Sequence, residues 1–125
     1  MSAWPVEEIP DDEALYRRVH RVHWREGSQE PVEPGAFKNY PKGSEGMSVD
    51  WAKYSTPQEA QARSGKPEEN AVVQLIAGEV RKLPAQRVQH APIAENQSHS
   101  EVVGKKTERV RTELSRICTI VIHLE

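Results

Sequence analysis

Between residues 25 and 46 the chain carries Gly27, Pro31, Pro34, Gly35, Pro41, Gly43 and Gly46, a density of breakers that no helix interior tolerates. This stretch reads as one long loop. It separates a short N-terminal part from a longer C-terminal part, and the two must share one core. Loops beyond about 15 residues are uncommon in compact domains and are usually functional or disordered. Residues 25–46 are therefore a candidate binding segment or mobile lid, with Phe37 and Tyr40 expected to pin it to the body. A chain of 125 residues that is 36% hydrophobic fits a single domain, 1–125, with a small core.

Around that loop the local signals are uneven. Ile9-Pro-Asp-Asp-Glu-Ala-Leu-Tyr16 reads as a helical turn, because proline and acids precede an apolar pair. Residues 16–24 satisfy both periods: Tyr16, Val19 and His23 are at helical spacing, whereas Tyr16, Val22 and Trp24 are at even spacing. Their β-branched and aromatic content tilts the reading toward a strand. Met47 to Ala52 reads as a short strand. Thr56-Pro57-Gln58-Glu59 is a capping box with proline at the first helical position, so a helix of about two turns starts at Pro57 and ends at Ser64-Gly65.

Ala71-Val-Val-Gln-Leu-Ile-Ala77 is the most apolar run and reads as the central strand, broken by Gly78. A helical turn over residues 79–83, a strand over 86–90, a polar loop over 92–98 and a strand at 101–103 follow. Val110, Leu114 and Ile117 form the apolar stripe of a helix over 105–117. Residues 118–124 read as a last strand. The expected fold is a small α+β domain of about five short strands with two main helices.

Several function classes drop out on composition. Seventeen basic against nineteen acidic residues give a net charge of -2, too balanced for a dedicated nucleic-acid binder. No apolar run reaches the length of a membrane span, and the first residues lack a basic, apolar leader pattern, so a cytoplasmic protein with no membrane partner is expected. One cysteine, Cys118, excludes a disulfide framework, and its apolar setting reads as burial rather than activation. No Walker loop, Gly-x-Gly-x-x-Gly fingerprint or Gly-x-Ser-x-Gly elbow occurs, so no bound cofactor is indicated.

The remaining chemistry is concentrated in two places. The loop from His90 to His99 holds Glu95 and Asn96 and is the densest cluster of hydrogen-bonding side chains, which makes His90, Glu95, Asn96 and His99 candidate ligand contacts. If strands 86–90 and 99–103 form a hairpin, His90 and His99 come together at one end of the sheet and share a cleft with Arg17. The histidines occur only in pairs, and no metal site is expected from them. Lys105, Lys106, Arg109 and Arg116 could line a helix face against phosphates, although Glu108 and Glu113 interrupt that charge and a solvated face explains them equally.

The stretches Asp12-Glu-Ala-Leu-Tyr-Arg-Arg, Ala36-Phe-Lys, Met47-Ser-Val-Asp and His90 through Gly104-Lys-Lys resemble a group of short bacterial proteins of unknown function. The order of a Tyr-Arg strand, a serine-bearing strand, a Thr-Pro helix and a late glutamate strand is similar to small ADP-ribosyltransferase-like toxins. That similarity implies roles for Arg17 in holding a phosphate of NAD, for Ser48 in shaping the strand floor and for Glu101 in stabilising the ribosyl cation. His99, with Glu95 or Glu101 to orient it, is by its own chemistry a candidate acid or base beside them. Two functions fit these residues. The first is an interaction module working with a protein partner, with nucleotide or nucleic acid as a further ligand; the alternative is an NAD-consuming, ADP-ribosyltransferase-like enzyme.

Overall fold

The structure is a computed structural model and describes residues 4–124. Six strands form one antiparallel sheet: β1 (Ala14–His20), β2 (Gly46–Trp51), β3 (Asn70–Ile76), β4 (Arg87–His90), β5 (His99–Val103) and β6 (Thr119–Ile122), in the order β4-β5-β2-β1-β3-β6. Three helices accompany them: α1 (Pro57–Ala62), α2 (Ala77–Arg81) and α3 (Glu108–Ile117). The small α+β domain stands, with six strands in place of about five and three helices in place of two.

Residues 16–24 divide between the two readings. The chain is extended through His20 and then makes a 3-10 turn over Arg21–His23, whose first free N–H, that of Val22, is accepted by the His20 ring. Ile9 to Tyr16 holds a tight turn at 11–12 instead of a helical turn. The run at 70–76 is not central, since β3 lies next to the edge strand β6. It is apolar on both faces because both are covered: Ala71 and Val73 face the core, while Val72 lies on the opposite face, where α1 packs, and all three have 0% exposure.

Thr56 caps α1 as its sequence requires. Its hydroxyl accepts from the Glu59 N–H at 3.1 Å and the Glu59 carboxylate accepts from the Thr56 N–H at 2.9 Å, satisfying donors that the first turn leaves free. The strand stops at Ile76, just ahead of Gly78, and Gly78 itself sits inside α2. Its N–H donates to Asp11 O at 2.7 Å, and a Cβ there would lie 2.9 Å from that oxygen, so glycine permits a close backbone approach.

Half of the 25–46 loop is held by packing. Val32, Ala36 and Phe37 are buried, and Ser115 on α3 donates to Val32 O at 2.6 Å. Phe37 pins the loop as expected, but Tyr40 is 80% exposed and does not.

The sheet is curled, as shown by α2, which follows β3 and yet contacts the far edge strand β4, where Arg81 donates to Val88 O at 3.3 Å. Inside the curl, Leu15, Val19, Met47, Trp51, Val73, Leu75 and Val102 meet Phe37, Val80, Val110 and Leu114 in one core. Each such fully buried large side chain contributes about 1.5–3 kcal/mol. One irregularity positions the site: β1 and β2 pair only at Leu15↔Trp51 and Tyr16↔Asp50, and beyond these pairs the two strands splay apart.

Candidate functional site

A cavity of about 320 Å³ opens at the splay, lined by residues from four places: Tyr16, Arg17 and Arg18 on β1, Ser48 and Asp50 on β2, Arg63 after α1, and Glu95, Asn96 and His99 from the β4–β5 hairpin. Alternation along the strands fixes who faces it. Tyr16 pairs with Asp50, Asp50 with His99 and Ser48 with Glu101, so Tyr16, Arg18, Ser48, Asp50, His99 and Glu101 share the outer face of the sheet. Arg17 belongs by alternation to the core face, yet it lines the cavity because its guanidinium fills the gap between the splayed strands. There it donates to Ser48 O at 2.9 Å and, from two nitrogens, to Ala36 O at 3.3 and 3.0 Å.

Arg17 is the electrostatic feature of the splay. Among the described residues no carboxylate lies within ion-pair distance of it, and burial followed by repulsion from Arg18 lowers its pKa to about 10. A guanidinium remains charged at that value, so a positive charge with only carbonyl partners stands at the cavity floor. That setting favours an incoming anion.

Asp50 organises the rest. Its buried carboxylate accepts from Asn96 Nδ2 and Ser98 Oγ, both at 2.9 Å, and its second oxygen lies 3.4 Å from both Arg18 and Arg63. Asn96, expected to be a ligand contact, is thereby also a structural one. Arg18 spends another bond on Ala60 O at 2.9 Å and Arg63 on Ser55 Oγ at 2.9 Å. Three arginines against Asp50 and Glu95 leave the lining cationic.

The hairpin joins His90 and His99 as expected, but on opposite faces. His90 is 4% exposed, packs its ring 5.1 Å from Trp51, accepts from the Glu7 N–H at 3.0 Å and bonds Gln97 O at 2.7 Å. It is a core residue and leaves the candidate ligand set, because a four-residue strand followed by a short turn inverts the side chain's face between positions 90 and 99. His99 does enter the cavity, where Nε2 lies 3.3 Å from Ser48 Oγ and Nδ1 lies 2.8 Å from Ala91 O. Glu95 reaches the rim. Glu101 stands beside Ser48 but does not line the cavity, its carboxylate turned over Gly46, where a Cβ would come within 2.7 Å of Oε2.

The basic helix face loses two of its members. Lys106 is 7% exposed and points inward, donating to Val102 O and Gly104 O at 3.0 and 2.6 Å, and burial pushes its pKa down to about 8. Arg116 forms a fork with Glu113, at 3.2 and 2.6 Å. Lys105 and Arg109 remain exposed. Burial raises the Cys118 thiol to about 11, which suits packing rather than nucleophilic use. Among the described residues no three His, Cys, Asp or Glu side chains converge as a metal site, and no helix is long and apolar enough to cross a membrane.

Arg18, Asp50 and Arg63 were not among the candidate site residues. The strand reading of residues 16–24 already puts Arg18 with Tyr16 on one face, within a basic stretch, whereas nothing local marks Asp50 or Arg63. No protein family model, curated protein or solved structure matches the chain.

Proposed function

We propose that the protein is an NAD-consuming enzyme of the ADP-ribosyltransferase type, working at the splay between β1 and β2. The observation that carries this reading is spatial: Arg17, Ser48 and Glu101 come from distant segments and occupy three adjacent strands, with Ser48 and Glu101 directly paired. Arg17, without a carboxylate partner, supplies charge for a phosphate of NAD. Ser48, oriented by His99, supplies a hydroxyl to the ribose. Glu101 swings from Gly46 toward Ser48 and places its carboxylate beside the anomeric carbon.

The bond from that carbon to the nicotinamide nitrogen breaks with its electron pair, and nicotinamide departs neutral. The carboxylate offsets positive charge developing on the ribose. An acceptor nucleophile or water then bonds the anomeric carbon and releases one proton.

The test is nicotinamide release from NAD, measured by chromatography with and without a bacterial lysate as acceptor source, alongside growth of the expressing host. Wild type should release nicotinamide or arrest growth, and Glu101→Gln should lose roughly 100-fold of the release, the scale of a removed electrostatic stabiliser. No release and undisturbed growth would defeat the proposal. The position of Glu101 outside the cavity favours a second reading, an interaction module that binds nucleotide at the same place without turning it over and presents it to a protein partner. Under that reading Glu101→Gln leaves nucleotide affinity unchanged and wild type is inert toward NAD.

A further inference from the structure

A second cavity, also of about 320 Å³, lies farther along β1 and is lined by Arg17, Arg18, His20, Val22, His23, Ala36, Lys38 and Asn70. It shares Arg17 and Arg18 with the first cavity, so the two follow one another along β1. Its lining contains two arginines, a lysine and two imidazoles and no carboxylate. Acids stand outside that lining: Glu69 lies 3.8 Å from His20, and Glu33 acts on His23 from a distance.

We infer that this second cavity is the phosphate subsite of an extended nucleotide groove, taking the diphosphate of the ligand whose ribose end the first cavity receives. The inference rests on the nucleotide reading of the first cavity. Its geometry is built for a compact anion. The 3-10 turn at Arg21–His23 turns the His23 ring inward until it packs on Gly35, where a Cβ would lie 3.2 Å from Nδ1. Lys38 follows the buried pair Ala36 and Phe37, so its exposed amine projects from an anchored backbone. Asn70 closes the β3 side; its Nδ2 is spent on Lys66 O at 3.1 Å.

Crowded cations repel one another, and His23 shows it: its pKa is lowered by burial first and then by Lys38, with His20 and Arg17 adding to the effect. A bound diphosphate removes that repulsion and pairs with Lys38 and the Arg17–Arg18 junction. The subsite also extends the phosphate role of Arg17, because a guanidinium that lines both cavities can contact the link between two halves of a dinucleotide.

The experiment is calorimetric titration of the full chain with ADP and with inorganic pyrophosphate, on wild type, Lys38→Glu and His23→Ala. Lys38 is exposed, so its reversal should leave folding intact, confirmed by circular dichroism. ADP should bind wild type, pyrophosphate should compete with it, and Lys38→Glu should weaken both by about tenfold or more. Affinity unchanged in Lys38→Glu and in His23→Ala, or no binding of ADP to wild type, overturns the subsite. The two proposals fail separately. ADP affinity that depends on Lys38 in a protein that never consumes NAD keeps the subsite and removes the enzyme. NAD consumption with a KM untouched by Lys38→Glu keeps the enzyme and removes the subsite.

Discussion

Replacing Asp50 with alanine removes the buried carboxylate that ties the β4–β5 hairpin to β2 and α1. Two neutral donors, Asn96 Nδ2 and Ser98 Oγ, bond Oδ1 at 2.9 Å, and hydrogen bonds to a charged group contribute about 1.5–3 kcal/mol each. The two ion pairs add less. Arg18 and Arg63 sit at 3.4 Å with side chains 33% and 29% exposed, where solvent screening leaves about 0–1 kcal/mol apiece. Part of the hydrogen-bond loss is recovered, because Asn96 can relax toward water. Asp50→Ala should therefore cost about 3–5 kcal/mol, the range for removing one member of a buried charged network.

Asp50→Asn keeps an acceptor for one donor but turns an amide toward two guanidinium groups, and should cost about 1–3 kcal/mol. Urea unfolding followed by tryptophan fluorescence gives both values, since Trp51 is buried beside the substitution and the transition of a small domain is usually two-state. If Asp50→Ala unfolds within about 1 kcal/mol of wild type, the network carries little of the stability assigned to it here.

Thr56→Ala removes half of the capping box and should lower stability by about 1 kcal/mol, read as a shift in urea midpoint at constant slope; an unchanged midpoint would remove the cap from the account of α1. Gly104 has a φ of 140, and a Cβ there would lie 2.2 Å from Ala85 O, so Gly104→Ala should yield little folded protein, and a variant as soluble and heat-resistant as wild type contradicts the geometry. Lys106 carries a pH dependence. Its folded pKa of about 8 lies below the ordinary 10.5, so between those values the unfolded chain binds more protons and stability rises with pH. Denaturation midpoints should climb from pH 8 toward pH 10 in wild type and lose that component in Lys106→Met; identical slopes in the two proteins would mean that Lys106 is not the group.

Much of the fold was legible because its signals are local. The Thr56 cap, the stripe of Val110 and Leu114 and the β-branched run of β3 each declare an element within a few residues. The centre of the sheet was harder. Arg17 and Arg18 look equivalent in sequence, and only the splay, a mismatch between β1 and β2 that exists after both have paired with other strands, sends one guanidinium into the gap and the other across the outer face. Lys106 was misplaced for a related reason. A lysine on the face of a helix over 105–117 reads as solvated, but the helix begins at Glu108 and the amine turns back onto the carbonyls of Val102 and Gly104. For His90 and His99 the hairpin was visible and the faces were not, since a short strand flips its side chains with each residue added to the turn.

That inversion makes the two histidines a test of the site itself. Each has both ring nitrogens engaged, and the partners fix opposite neutral tautomers. At His90 the Glu7 N–H can only donate, so Nδ1 accepts and Nε2–H donates to Gln97 O. At His99 the Ala91 carbonyl can only accept, so Nδ1 carries the proton and Nε2 is left to accept from the Ser48 hydroxyl. Long-range nitrogen–proton correlation spectra of the labelled protein at pH 8 separate the two forms. His90 should show a protonated Nε2, His99 a protonated Nδ1, and Ser48→Ala should move only His99. Adding NAD should then shift His99 and leave His90 in place, because the sheet lies between His90 and the cavity. A His99 ring protonated at Nε2 would make it a donor to Ser48, reverse the direction of that hydrogen bond and leave Ser48 without the orientation that the proposed chemistry requires. A ligand shift at His90 but not at His99 would put the nucleotide on the wrong face of the sheet and end the case for the splay.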